Sequence, residues 1–161
     1  MRRTWTGKIV PGNAVPRFTG ITQDGTELTS DDLKGNDYIL FFYNHDGSET
    51  CTKEACNMRD NYSMLSELGY TIIGVSEDSV KKHQKFIGKY NLPFTLISDM
   101  DNTIAKAFDI YGEKEFMGRK SDAVHRTTFV INKEGIIISV IHPVDSSQHA
   151  NQILQSLNIT D

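Results

Sequence analysis

Apolar residues in this chain cluster in short runs whose spacing switches between two periods. Tyr38-Ile-Leu-Phe-Phe-Tyr43 and Tyr70-Thr-Ile-Ile-Gly-Val75 are nearly continuous, as expected of strands buried on both faces. Phe94 to Ile97 reads as a shorter strand after Pro93. Thr127-Thr-Phe-Val-Ile131 and Ile136-Ile-Ile-Ser-Val-Ile141 flank Asn-Lys-Glu-Gly, a hairpin signal. Gln23-Asp-Gly-Thr26 predicts a turn between two short strands within residues 16–35. Between these runs the period lengthens. Helices are predicted from Thr50 to Leu68, closed by Gly69, and from Ser79 to Tyr90, with Val80, Phe86 and Ile87 as apolar contacts. Shorter ones follow at Thr103 to Phe108 and Ser146 to Leu157. Alternating strands and helices, then a hairpin and a closing helix, predict an α/β layered domain with a mixed sheet and a hairpin at one edge. Without repeats, linkers or low-complexity tracts, residues 1–161 read as a single domain.

The helix after Tyr43 carries the most informative feature, the only two cysteines, in Cys51-Thr-Lys-Glu-Ala-Cys56. Cys51, Ala55, Met58, Tyr62 and Leu65 form one apolar stripe, so Cys51 faces the core at the first turn. Cys56 lies round from that stripe, beside Arg59 and Asp60. A helix start offers free N–H groups and the positive end of its dipole, which favour a thiolate. Five residues of ideal helix rise about 7.5 Å and turn about 140°, separating the two Cα atoms by roughly 8–9 Å. A disulfide needs them within about 7 Å. If both thiols serve one reaction, the helix has to unwind. Position alone also permits Cys51 as a small buried apolar residue.

Composition narrows the classes. At 161 residues the chain can bury about 70% of its unfolded surface, so neither disulfides nor a metal are needed for stability. A net charge of −4 with interspersed signs gives no footprint for nucleic acid. No apolar run approaches a membrane span. The basic start, Met1 to Lys8, is not followed by a signal-peptide core, which predicts a cytoplasmic protein with reduced thiols. His45, His83, His125, His142 and His149 show no metal-ligand spacing, so neither metal nor cofactor is expected. Asn61-Tyr-Ser and Asn158-Ile-Thr match glycosylation sequons, which carry little weight without a secretory signal.

Phe41-Phe-Tyr-Asn-His-Asp-Gly-Ser-Glu-Thr-Cys-Thr-Lys-Glu-Ala-Cys-Asn-Met-Arg-Asp60 resembles the peroxidatic segment of a peroxiredoxin, in particular the bacterioferritin-comigratory or peroxiredoxin Q group. Gly74-Val-Ser76, Phe86, Lys89-Tyr-Asn-Leu-Pro-Phe94, Ser98-Asp99, Tyr111-Gly-Glu-Lys114 and Arg126-Thr-Thr-Phe-Val-Ile131 extend the resemblance over nearly the whole chain, as does the spacing from Gly112 to Arg126. It implies a thioredoxin-like fold, a mixed central sheet flanked by helices with an N-terminal hairpin extension. It also implies a thiol-dependent peroxidase that reduces hydrogen peroxide and organic hydroperoxides and is recycled by a thioredoxin-like reductant. Cys51 would be the peroxidatic nucleophile and Cys56 the resolving thiol, joined in turnover as an intramolecular disulfide. Arg126 would be the active-site cation, and Ser48 would supply a hydroxyl to thiolate and substrate, unless it is only a turn or N-cap residue. Thr50, Tyr43 and Asn44 are the expected substrate-binding positions. Lys53 and Glu54 match the family's Lys-Glu, Lys53 reading as solvated. With both thiols on one helix, a monomer suffices.

Three positions depart from the family pattern. Asn44 replaces a proline that walls the pocket, and Glu49-Thr50 replaces Pro-Gly before the nucleophile. A carboxylate at 49 is expected to disfavour the thiolate unless Arg126 or solvent offsets it. The alternative reading is a thiol–disulfide exchange or redox-sensing module with weak peroxidase activity.

Overall fold

A computed structural model describes residues 8–157. The basic run's first seven residues and the Asn158 sequon lie outside them.

The chain runs β1 (Thr19–Thr22), β2 (Glu27–Thr29), β3 (Asp37–Phe42), α1 (Glu49–Asp60), α2 (Tyr62–Glu67), β4 (Tyr70–Ser76), α3 (Val80–Tyr90), β5 (Thr95–Ser98), α4 (Thr103–Ala107), β6 (Tyr111–Phe116), β7 (Arg119–Val124), β8 (Thr127–Ile131), β9 (Ile137–Ile141) and α5 (His149–Ser156). Seven strands form one sheet in the order β2-β1-β5-β4-β3-β8-β9. β3, β4 and β5 run parallel, and the other pairs are antiparallel. The mixed α/β sheet expected from the sequence is present, with the N-terminal hairpin built onto one edge.

Alternation along β3 divides the core. Ile39, Phe41 and Tyr43 point to one face and pack with Cys51, Ala55, Met58, Phe86 and Ile153. Tyr38, Leu40 and Phe42 point to the other and pack with Ile104, Phe108 and Phe129. A continuous apolar run is the consequence of covering both faces. Gly74, paired with Phe41 in the parallel register, has no room for a side chain: a Cβ there would sit 2.7 Å from Leu96 Cδ2 and 2.8 Å from Phe41 Cζ.

Two expectations need correction. The predicted helix from Thr50 to Leu68 is two helices, because the backbone leaves helical geometry at Asn61, whose N–H turns back to the carbonyls of Asn57 and Arg59. The first sequon therefore begins at this break. Hairpins occupy both sheet edges, β1–β2 and β8–β9, where the two turn signals place them. A third hairpin, β6–β7, forms a separate two-stranded sheet that the hydrophobic pattern missed. Its residues are largely charged and exposed, so no alternation marks it, and Met117 and Gly118 turn it with positive φ.

Candidate active site

β3 ends beneath the sheet's helical face, and the loop from Tyr43 to Ser48 swings the chain into α1. Gly47 takes a left-handed conformation (φ +86°) just before the helix. Ser48 is the N-cap, its Oγ accepting the Cys51 N–H at 3.3 Å. Cys51 is thus fixed in the first turn and is only 3% exposed. Both cysteines are free thiols, Cys51 buried and Cys56 half-buried. The placement read from the periodicity, one thiol inward and the other turned away, is what the fold provides.

Cys51 packs among apolar core residues, and charged groups stand one turn along α1. Glu54, one turn on, is fully buried, and its Oε1 accepts from Arg126 Nη1 at 3.3 Å. Arg126 is brought to α1 by the short connection between β7 and β8. His149, at the start of α5, is equally buried. Its Nε2 lies 2.6 Å from Thr128 Oγ1, and its Nδ1 faces Glu54 Oε2 at 3.8 Å. Burial pushes Glu54 up to about 8 against the pull of Arg126 and pushes His149 down to about 3.

The loop itself is held by a second buried cluster. Tyr43 Oη donates to Asp46 Oδ1 at 2.5 Å, and Asp46 Oδ2 lies 2.7 Å from His83 Nδ1. His83 Nε2 reaches the Ile97 carbonyl at 3.0 Å. A carbonyl only accepts, so Nε2 carries a proton, and a further proton lies between Nδ1 and Asp46. Asp78 Oδ2 accepts the Asp46 N–H and the Ser76 hydroxyl, each at 2.7 Å. Burial and Asp46 together hold the Tyr43 phenol well above its ordinary value. Asp46, Asp78 and His83 also bring three potential metal-ligand atoms within 4.8 Å of one another, a grouping invisible in their sequence spacing. In the structure they form the loop's hydrogen-bonded latch.

The remaining predicted positions are distributed unevenly. Thr50 is exposed beside the nucleophile. Asn44 is half-buried and donates to the Val124 carbonyl at 2.8 Å, tying the loop to β7 where the family's proline would stand. Tyr43 turns its ring into the core and engages its hydroxyl with Asp46. Glu49 points outward, 87% exposed, and pairs with the exposed Lys53 at 3.6 Å, so its charge is spread into solvent rather than aimed at the thiol. Sequence reasoning singled out neither His83 nor His149 beyond their lack of metal-ligand spacing, yet both are fully buried. Helical spacing carried that signal: His83 lies three before Phe86, and His149 four before Ile153, each on an apolar stripe.

The two buried groups Glu54 and His149 also give a pH dependence. Below about 4.5 both folded and unfolded Glu54 are protonated; between about 4.5 and 8 only the folded state keeps the proton, so stability falls as pH rises through that window. His149 works in reverse, losing stability as pH falls from 6.5 toward about 3. The slopes cancel between about 4.5 and 6.5. The contribution of this pair is expected to be flat there and to fall on both sides, by about 1.4 kcal/mol per pH unit at most. Chemical denaturation across pH checks it: Glu54→Gln should remove the decline above pH 6.5, and an unchanged decline would refute it.

The arrangement sets a buried thiol at a capped helix start, one turn from a glutamate paired to an arginine, with a second thiol on the same helix. Residues 11–140 match the AhpC/TSA family. The relative described as "Putative peroxiredoxin bcp" of Coxiella burnetii is 45% identical over 149 residues, covering 92% of this chain and 99% of that one. Peroxiredoxin Bcp of Bacillus subtilis is 41% identical over 133 residues, covering 83% and 85%. The solved structure of the Xanthomonas campestris bacterioferritin comigratory protein, described for its alkyl peroxide reduction activity, superposes with a TM-score of 0.83 at 28% identity, over 95% of this chain and 98% of that one. With its buried thiol, capped helix start and neighbouring arginine, the chain belongs to the AhpC/TSA family, among the peroxiredoxins of the Bcp (peroxiredoxin Q) group.

Proposed function

We propose that Cys51 is the peroxidatic thiol and Cys56 the resolving thiol of this thiol-dependent peroxidase. One observation carries the assignment. Cys51 is buried at the capped first turn of α1, one turn from a glutamate paired to Arg126, whereas Cys56 is half-buried on a different face of the same helix.

The Cys51 thiolate attacks one oxygen of a hydroperoxide. The O–O bond breaks, leaving Cys51 as a sulfenic acid and releasing an alkoxide or hydroxide that takes a proton from solvent. Arg126 favours the thiolate and the charge moving onto the departing oxygen, and the N–H groups of the helix start and the Ser48 hydroxyl orient the peroxide. Exposed Thr50, with the backbone of Tyr43 and Asn44, forms the rim that the peroxide passes. The first turns of α1 then unwind, Cys56 attacks the sulfenic sulfur, and water leaves as the disulfide closes. A dithiol donor of thioredoxin type returns both thiols by exchange and leaves oxidised. One chain supplies both sulfurs, so turnover needs no second copy, and a reducing compartment such as the cytoplasm keeps the resting thiols free. Among the described residues no helix is long and apolar enough to cross a membrane.

The test is peptide mapping after one equivalent of hydroperoxide. A Cys51–Cys56 cross-link within single chains is the expected product. Cross-links only between chains, or oxidation confined to Cys56, would overturn the assignment.

A further inference from the structure

Two polar atoms in the core have no hydrogen-bond partner and face each other: Glu54 Oε2 and His149 Nδ1, 3.8 Å apart, with both side chains fully buried. That separation is too long for a hydrogen bond and short enough for a small side-chain rotation to close. Unpaired buried polar atoms are costly, so a facing pair invites a shared proton. The groups around it are few. Arg126 reaches the other Glu54 oxygen, and Cys51 lies one turn back on α1. β8 contributes the Thr128 hydroxyl, and β3 the edge of Phe41 against the His149 ring. His142 turns its Nδ1 to the Arg126 carbonyl, at 3.1 Å, rather than to the pair.

Arg126 pairs with Glu54, and Glu54 lies one helical turn from Cys51 on α1, so the charge that Glu54 carries bears on the thiol. If Glu54 is ionised, it neutralises Arg126 and the thiol keeps its proton. If Glu54 is protonated, the thiolate becomes the counter-anion. We propose that Glu54 and His149 hold between them the proton that leaves Cys51 as the anion paired with Arg126, which makes His149 a positioning residue for the peroxidatic thiolate. The inference rests on the assignment of Cys51 above.

The exchange balances without any other reactant. Thiol plus carboxylate becomes thiolate plus carboxylic acid, and His149 stays neutral throughout by changing tautomer. Beside the carboxylate, Nδ1–H donates to Glu54 and Nε2 accepts from the Thr128 hydroxyl. Beside the carboxylic acid, the Glu54 O–H donates to Nδ1 and Nε2–H donates to Thr128. Thr128 serves both arrangements because a hydroxyl can donate or accept. The direction in which burial moves each partner, Glu54 upward and His149 downward, favours the second arrangement at neutral pH.

Carbon and nitrogen NMR test this in the reduced wild-type protein. One glutamate δ-carbon should titrate near pH 8, and the two His149 ring nitrogens should exchange protonated and bare character with the same midpoint. In Cys51→Ser, which removes the competing anion, the glutamate midpoint should fall by about one pH unit. A purely structural Glu54–His149 contact would leave it unmoved. The proposal is overturned if every glutamate titrates in the ordinary range, if His149 keeps one tautomer through the transition, or if Cys51→Ser leaves the midpoint unchanged. The first two measurements need no variant, and none of the three consumes peroxide. Failure of the peroxidase assignment and failure of this pairing are therefore separately visible.

Discussion

Serine at position 51 is expected to reduce peroxide consumption on the order of 10⁴-fold or more, to the level of the uncatalysed reaction with exposed groups. An alcohol in the same pocket is not deprotonated by a neighbouring arginine and cannot accept oxygen as sulfur does, so Ser48, Glu54 and Arg126 have nothing to act on. Cys56→Ser is expected to behave differently. Its first oxidation should proceed at the wild-type rate, after which a sulfenic acid at Cys51 accumulates and turnover with a dithiol donor stalls. Excess peroxide should then carry that sulfur to sulfinic acid, because no thiol intercepts it. Stopped-flow peroxide loss combined with intact-protein mass measurement separates the two variants. Full peroxide consumption by Cys51→Ser, or a slow first oxidation in Cys56→Ser, would contradict the division of labour between the thiols.

Asp46→Ala is expected to cost about 3–5 kcal/mol of stability, the cost of leaving one member of a buried ionic pair alone. The deletion strands His83 Nδ1 and the Tyr43 hydroxyl, two buried groups otherwise engaged by Asp46, whose own side chain is only 6% exposed. Denaturant midpoints measure the loss. Asp46→Asn, which can still accept from Tyr43, should recover part of it. The same deletion should loosen the loop that delivers Ser48 to the helix start, so disulfide closure after oxidation is expected to quicken even as the folded state weakens. A loss below about 1 kcal/mol, as for an exposed ion pair, would show that the cluster does not secure the loop.

These residues mark what the sequence made legible. The β3 and β4 runs, the Cys51 stripe and the closing hairpin were readable because burial writes itself as period. The family was readable from a resemblance carried by the segment from Phe41 to Asp60. Asp46, Asp78 and His83 were not, since three separate elements bring them together and only the folded sheet measures that distance. The burial of Glu54 had no signal in sequence: it adjoins Lys53, which reads as solvated and is exposed, yet the two side chains point to opposite environments. The β6–β7 hairpin escaped because exposed charged strands carry no apolar code, their pairing being enforced by the turn at Met117-Gly118. The helix break at Asn61 lacked a proline or glycine to announce it.

That break has a mechanical consequence. Just beyond Cys56, Asn57 clamps α1 to the start of α5, donating to the Ser147 carbonyl at 3.1 Å and accepting the Ala150 N–H at 2.8 Å. Arg59 holds the Tyr90 carbonyl at the end of α3 at 2.8 Å. Unwinding that starts at Gly47 therefore meets a stop at Asn57, and α2 stays seated beyond it. The travelling segment is short enough for its regained backbone entropy, about 1–2 kcal/mol per residue, to offset the few helical hydrogen bonds it gives up. In the proposed turnover the reactive end would open while the remainder, anchored at Asn57 and Arg59, keeps the register to which the helix closes.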